Sequence, residues 1–198
     1  HILSTHNMNF LVYKDTLIEE HISGIPGDDF IKEFLPKCTE SEKSQIAKEF
    51  VKFKERCLVR LLGDMRSYNY VIIPTHDFDK IIYKIRAIDF DQQSFEGNLK
   101  VYNLQFLKEN FKIVEMVNRK LDNNSINQYK LEERSFMAKR MISSPRRASS
   151  LIECMKNDSI SFDNNIQLLK KHLIKYVGDV KFKECQNMGD ILETILVF

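Results

Sequence analysis

The stretch GDMRSYNYVI, which runs from Gly63 to Ile72, places an acid and an amide close together just before an apolar run. Asp64 and Asn69 are these two residues, and Asp89 and Asp91 follow in the stretch AIDFD. Carboxylate and amide oxygens are the hard ligands that suit Mg²⁺. A carboxylate can also orient or deprotonate an attacking hydroxyl group. Together these residues are the set that phosphoryl transfer requires.

A plainer interpretation exists for each part of this set. Asp64 follows a glycine of the kind that ends helices, so it could simply begin an Asx turn, with Asn69 as a loop residue. Asp91 could be a turn acid. The acid and the amide alone are therefore a common pattern, and the second acid stretch gives the combination its weight.

The elements around these residues predict that they meet. Residues 41–62 carry apolar side chains in steps of three and four, which predicts an amphipathic helix capped by Thr39 or Ser41 and ended by Gly63. YVIIP predicts a buried strand closed by Pro74, and the stretch IIYKIRAIDF predicts the second strand of a hairpin. A hairpin returns its second strand to the start of the first, so Asp89 should lie beside the Asp64 loop.

The rest of the chain predicts an α+β fold with more helix than strand. Residues 9–24 indicate two short strands joined by a tight turn, and helices are predicted from Asn103 to the end of the chain. Ser149 or Ser150 could cap the helix that follows them. We divide the chain into residues 1–27, with the short strands, and residues 28–198, with the helices and the hairpin.

With these motifs in order, the chain resembles the protein-kinase-like superfamily, including its choline-kinase and aminoglycoside-phosphotransferase branch. GDMRSYN is similar to the catalytic loop, and IDFD is similar to the metal-binding DFG turn. The resemblance implies a helical C-lobe with a hairpin at the active site, and remnant N-lobe strands. It also implies Asp64 as the catalytic acid or base, Asn69 and Asp89 as metal ligands, and Asp91 as a further ligand.

The resemblance implies an ATP- and Mg²⁺-dependent phosphotransferase that acts on a hydroxyl group. Arg66 stands where many kinases keep a cation directed at the phosphate, and Glu20 and Ile22 would flank the adenine in the hinge. Few residues separate Asp91 from the next predicted helix, which favours a small-molecule acceptor over a protein acceptor.

Two departures from the family pattern keep other functions open. Leu62 and Gly63 precede Asp64 where kinases place a histidine, and neither a Gly-rich loop nor a strand lysine precedes Asn9. Either an N-lobe segment lies outside this chain or on a partner chain, or the fold is degenerate. A catalytically degenerate pseudokinase and a helical protein-interaction module are the alternatives.

Composition limits the other classes of function. Apolar residues make up 43% of the chain, which allows a substantial core, and the formal net charge of +2 indicates neither a nucleic-acid partner nor a membrane surface. The four cysteines are widely spaced and form no CxxC pair, which favours a reduced compartment. We therefore expect a cytoplasmic protein.

Overall fold

The computed structural model describes residues 10–13, 16–19, 21–78 and 80–196, and these residues form a mainly helical α+β structure. The strands are β1 Phe10–Tyr13, β2 Thr16–Glu19, β3 Ile25–Pro26, β4 Tyr70–Asp77 and β5 Lys80–Ala87. The α-helices are α1 Gly27–Asp29, α2 Glu40–Val59, α3 Phe111–Lys120, α4 Asn123–Ser143, α5 Pro145–Asn157, α6 Asp163–Val177 and α7 Met188–Leu196. Helix α1 continues as a π-helical turn, Phe30–Phe34, and a 3-10 turn, Leu35–Lys37.

Two antiparallel sheets contain the strands. β1 pairs with β2, as the sequence predicts, and a second sheet has the order β3-β4-β5. Strand β4 does not end at Pro74 but continues to Asp77. Because β3 pairs only with Val71 and Ile72, Pro74 lies where β4 has one neighbouring strand, a position that tolerates proline.

Helix α2 lies at the centre of the fold. Its N-terminus is closed by a capping box: Thr39 Oγ1 accepts from the Glu42 N–H, and Glu42 Oε2 accepts from the Thr39 N–H. The helix ends at Val59 and not at Gly63, because Leu61 adopts a left-handed φ of 49° that an α-helix cannot continue through. The three residues gained by the loop, residues 60–62, carry the chain towards Asp64.

Polar side chains of α2 fasten the edge strand β5. Glu49 Oε1 accepts from the Ile85 N–H at 3.3 Å, and Arg56 Nη2 donates to the Ile85 carbonyl at 3.2 Å. Arg56 also pairs with Glu49 at 2.7 Å and with Glu133 of α4 at 3.2 Å. Burial works against the charge of Arg56, but the two carboxylates outweigh it and raise the pKa of the guanidinium. These contacts pair the N–H and the carbonyl of Ile85 on an edge strand and attach the strand to α2.

Two apolar clusters meet at the end of α2. The first joins α2, β4, β5 and α3, and contains Phe50, Phe53, Tyr70, Ile72 and Ile113 among others. The second joins the end of α2 to α6 and α7, and contains Leu61, Tyr102, Leu169, Phe182 and Ile191 among others. Since Leu61 and Leu62 enter different clusters, the loop that follows them leaves the helix between two cores.

The helix predicted from Asn103 begins later, at Phe111. Residues 99–110 form three short 3-10 turns instead. Their carbonyl groups are used outside a helix: Val101 O accepts from the Asp64 N–H, and Leu104 O accepts from the Asn110 side chain. Segment 99–110 therefore serves the loop at Asp64.

Helix α5 begins at Pro145, in the first-turn position that suits proline. Ser149 and Ser150 consequently lie inside the helix, and the prediction that one of them caps it was wrong. In the part of the chain that the structure describes, no helix has both the length and the apolar character to cross a membrane.

The division between residues 1–27 and 28–198 stays a prediction. Strand β3 lies before this boundary but pairs with β4 beyond it, through Ile25 with Ile72 and Pro26 with Val71. The antiparallel hairpin of the predicted fold class is confirmed.

Candidate functional site

The loop between α2 and β4 is held by the chain that follows the hairpin. Leu62 forms an antiparallel bridge with Gln93, and the Ser94 N–H donates to the Leu61 carbonyl at 2.7 Å. Gly63 then passes so close to this segment that a Cβ atom there would lie 2.8 Å from the Gln92 carbonyl oxygen. The glycine is therefore required by the close approach of two backbones, whereas the sequence indicated a helix end.

Asp64 is fixed through its backbone and its side chain. Its N–H donates to the Val101 carbonyl at 3.3 Å, and its carbonyl accepts from Asn69 Nδ2 at 2.8 Å. Its carboxylate oxygen Oδ1 accepts from Arg66 Nε at 2.7 Å. The amide of Asn69 thus contacts the backbone of Asp64, while the Asp64 carboxylate contacts Arg66.

Backbone strain is concentrated at this crossing. The described residues include four non-glycine residues at positive φ, and three of them, Leu61, Asp64 and Ser94, belong to the crossing of the loop with the chain after the hairpin. Their φ values are 49°, 53° and 56°. Such conformations cost on the order of 1 kcal/mol each and persist where surrounding contacts fix them, which is frequently at functional sites.

The hairpin returns Asp89 to this loop, as the sequence predicts. Tyr70 pairs with Ala87 at the open end of the hairpin, and the Ile88 N–H donates to the Asn69 carbonyl at 3.1 Å. Asp89 is the next residue. Partial burial chiefly raises the pKa of Asp89, and the charges of Asp91 and, to a lesser extent, Asp64 add to it. Asp64, Asn69 and Asp89 therefore converge at one end of the hairpin.

Asp89 and Asp91 form an adjacent pair of carboxyl groups. The Asp91 N–H donates to Asp89 Oδ1 at 3.2 Å. Partial burial is the main cause that raises the pKa of Asp89; the Asp91 N–H opposes it, and the carboxylates of Asp91 and Asp64 add to it. A bound cation would offset both the partial burial and the repulsion from the two other carboxylates, and would favour the ionised form of Asp89.

Phe90 anchors the turn between these two acids. Its half-buried ring packs against the first apolar cluster, and the guanidinium carbon of Arg60 lies 5.7 Å from the ring centroid. Arg60 also accepts, through its carbonyl, from Gln93 Nε2 at 3.3 Å. The turn is therefore attached to Arg60, the residue after α2, both between its two acids and after the second of them.

Arg66 lies between two carboxylates. In addition to the bond with Asp64, its Nη1 lies 3.2 Å from Oε1 of Glu109. The hydrogen bond to Asp64 is the main cause that raises the pKa of Arg66, with Glu109 contributing. The guanidinium thus acts, in this structure, as the counter-ion of Asp64.

The side chain of Asn110 holds the loop in place through hydrogen bonds, a role that was not predicted from the sequence. Its side chain is fully buried; Nδ2 donates to the carbonyls of Met65 at 3.0 Å and Leu104 at 3.3 Å, and Oδ1 accepts from the Tyr70 hydroxyl at 3.0 Å. The one available signal was an asparagine just before the apolar period of α3, and that signal would have suggested a helix cap.

The structure describes only one of the two residues that were predicted to flank an adenine. Glu20 lies outside the described residues. Ile22 is half-buried in the irregular segment that precedes β3, and Ile25 of that strand pairs with Ile72.

The carboxylate and amide oxygens at this site are ligand atoms of the kind that a hard cation binds. Asp89 and Asp91 offer adjacent carboxylates, and Asn69 uses Nδ2 in its bond to Asp64, so that Oδ1 is the atom that could serve a cation. Within residues 10–13, 16–19, 21–78 and 80–196, no group of three or more His, Cys, Asp or Glu side chains is arranged to hold a metal. The amide of Asn69 would thus be an essential part of the set.

Comparison of the chain with protein-family models, with curated proteins and with solved structures finds no match.

Proposed function

We propose that this chain is a kinase-like phosphotransferase lobe that uses ATP and Mg²⁺ and transfers a phosphoryl group to a hydroxyl group. The observation that carries the proposal is the convergence of Asp64, Asn69 and Asp89 at the open end of the β4–β5 hairpin. Asp64 would orient the acceptor hydroxyl, and Asn69, Asp89 and Asp91 would hold Mg²⁺. The ion supplies charge stabilisation at the transferred phosphate when it is bound.

A small-molecule acceptor is favoured over a protein acceptor. The segment between Asp91 and α3, residues 92–110, is longer than the sequence indicated. Much of it is packed, because Tyr102 and Leu104 are fully buried and the Tyr102 hydroxyl donates to the Glu96 carbonyl at 2.6 Å. A segment engaged in this way offers little free backbone for pairing with an extended peptide.

Calorimetric titration with ATP and Mg²⁺ tests the proposal. Wild-type protein should bind the nucleotide, and binding should be lost with EDTA or in Asp89→Ala. Asp158→Ala is the matched control, because Asp158 is an exposed acid at the end of α5. Absence of binding by wild-type protein, or equal binding by Asp89→Ala, would refute the proposal.

A catalytically degenerate pseudokinase is the second candidate, and the engagement of Asp64 by Arg66 favours it. Arg66 already occupies Oδ1, one of the two carboxylate oxygens that an acceptor hydroxyl could use. Phosphate release that Asp64→Asn abolishes would exclude this candidate, whereas nucleotide binding without any turnover would establish it.

A helical interaction module is favoured by a different observation. Helix α4 exposes Leu131, Phe136 and Ile142, with Ile142 at 76% of its full accessibility. Exposed apolar groups on one helix are a feature of contact surfaces. This candidate requires no nucleotide, so the same titration separates it from the other two.

A further inference from the structure

Two consecutive residues hold two consecutive residues of the Asp64 loop. Asn110 donates to the Met65 carbonyl at 3.0 Å, and the Glu109 carboxylate lies 3.2 Å from Nη1 of Arg66. Asn110 is fully buried and makes three hydrogen bonds, so the backbone that carries Glu109 is firmly fixed. Glu109 is therefore presented to Arg66 from a rigid base.

The contact of Glu109 limits the freedom of Arg66. The Arg66 side chain is 38% exposed and the Glu109 side chain 20% exposed, and an unrestrained arginine at such a position has many accessible rotamers. The guanidinium is a planar fork, so fixing Nη1 against Glu109 also fixes the direction of Nε. Nε is the atom that binds Asp64 Oδ1 at 2.7 Å.

We propose that Glu109 is a positioning residue for Asp64, and that it acts through Arg66 by holding the guanidinium against Oδ1. The inference rests on the proposed phosphotransferase function, since positioning has a purpose only if Asp64 meets an acceptor. It assigns a role to a residue that lies outside both motifs of the loop and the hairpin.

The chemistry explains why the position of Asp64 matters. The acceptor oxygen forms a bond to the γ-phosphorus of ATP while the bond from that phosphorus to the β–γ bridging oxygen breaks. ADP leaves with the electron pair of the broken bond, and the hydroxyl proton passes to Asp64. Arg66 engages Oδ1, so Oδ2 is the oxygen that takes the proton, and its direction depends on the bond at Oδ1.

The experiment compares Glu109→Ala and Glu109→Gln with wild-type protein. Steady-state phosphate release from Mg²⁺–ATP gives kcat and KM, and the Nε–H signal of Arg66 in a nitrogen–proton NMR spectrum reports the Asp64 bond. Arg66→Lys assigns that signal by its loss. Glu115→Gln is the matched control, because Glu115 is an exposed acid of α3 that lies 3.9 Å from Arg119.

We expect kcat to fall about tenfold in Glu109→Ala, with KM for Mg²⁺–ATP unchanged within about twofold. The Arg66 Nε–H signal should broaden through exchange with water. Glu109→Gln keeps a hydrogen-bond acceptor without the charge, so its loss of kcat should be smaller. If Glu109→Ala does not fold, this second variant still decides the question.

The outcomes separate this inference from the proposed function. If wild-type protein turns ATP over and both Glu109 variants match it in kcat and in the Arg66 signal, the positioning role alone is wrong. A fall in kcat with an unchanged Arg66 signal also overturns it, because Glu109 would then act by another route. If wild-type protein neither binds nor turns over ATP, the proposed function fails and the catalytic role of Glu109 fails with it.

Discussion

The side-chain amide of Asn69 donates from Nδ2 to the backbone carbonyl of Asp64 at 2.8 Å. This bond closes the loop between the two residues and fixes the carboxamide, so that Oδ1 is the atom that can serve a cation. One residue thus stabilises the loop and contributes a donor to the proposed metal site. The contribution of each role can be measured separately, as stability and as affinity for Mg²⁺–ATP.

Asn69→Ala should lose both roles. We expect the free energy of unfolding to fall by about 1 kcal/mol, because the Asp64 carbonyl loses one of its two hydrogen-bond donors and keeps the Arg66 N–H. The affinity for Mg²⁺–ATP should fall by about tenfold. Urea unfolding and calorimetry measure the two effects, and Asn124→Ala on the exposed start of α4 is the control. Unchanged stability would show that the bond contributes little.

Asp89→Asn should stabilise the protein in the absence of metal. Burial chiefly, with the charges of Asp91 and Asp64, raises the pKa of Asp89, so the ionised carboxylate destabilises the folded state at neutral pH. Asparagine keeps Oδ1 as an acceptor for the Asp91 N–H. We expect the Tm at pH 7.5 to rise by about 2 °C.

The sign of the pH dependence provides a second check on Asp89. As the pH falls towards its raised pKa, wild-type Asp89 takes up a proton and its destabilising effect disappears, so the difference in Tm from Asp89→Asn should shrink. Mg²⁺ should raise the Tm of wild-type protein only. A lower Tm for Asp89→Asn at pH 7.5, or equal stabilisation of both proteins by Mg²⁺, would contradict this account.

Local patterns predicted the elements around the site, and contacts between distant segments explain what they missed. The alternation of residues 80–87 and the apolar period of α2 predict the hairpin and the helix, because each depends on side chains a few positions apart. The return of Asp89 to the Asp64 loop follows from hairpin geometry alone. The end of α2 does not, because Leu61 pairs with Ser94 far along the chain.

The polar contacts that Glu109 and Asn110 make with the Asp64 loop could not be predicted either, because they also join distant segments of the chain. Glu109 and Asn110 read as part of the helix predicted from Asn103, and no local pattern indicates that they reach Arg66 and Met65. Gly63 is a similar case. Its place in the sequence suggested a helix end, but a glycine is needed there because the backbone of Gln92 passes close to it.

Gly63→Ala should therefore act through a steric clash. The new Cβ would lie 2.8 Å from the Gln92 carbonyl oxygen and 3.1 Å from Val101 Cγ1, and the first of these is a backbone atom that cannot rotate away. We expect a loss of about 2 kcal/mol in the free energy of unfolding, together with weaker Mg²⁺–ATP binding as the loop shifts.

Gly178→Ala separates a clash from backbone strain. Gly178 ends α6 at a φ of 80°, and nothing lies within 4 Å of the position that a Cβ would take. This variant should lose about 1 kcal/mol through its conformation alone and should bind Mg²⁺–ATP like wild-type protein. If Gly63→Ala is no more destabilising than Gly178→Ala, the close approach at Gln92 is less rigid than its geometry indicates.

Asn110 and Tyr70 should show strong energetic coupling. Asn110→Ala leaves the Tyr70 hydroxyl and the Met65 carbonyl without their partner in a fully buried site, so we expect a loss of about 3 kcal/mol in the free energy of unfolding. Tyr70→Phe leaves only Asn110 Oδ1 unpaired and should lose about 1 kcal/mol.

The double variant should be more stable than the sum of the two losses indicates, because the second change removes a group that the first had already left unpaired. Urea unfolding of the four proteins measures the coupling. Additive losses would mean that the hydroxyl and the amide act independently, and that Asn110 holds the loop through Met65 and Leu104 alone.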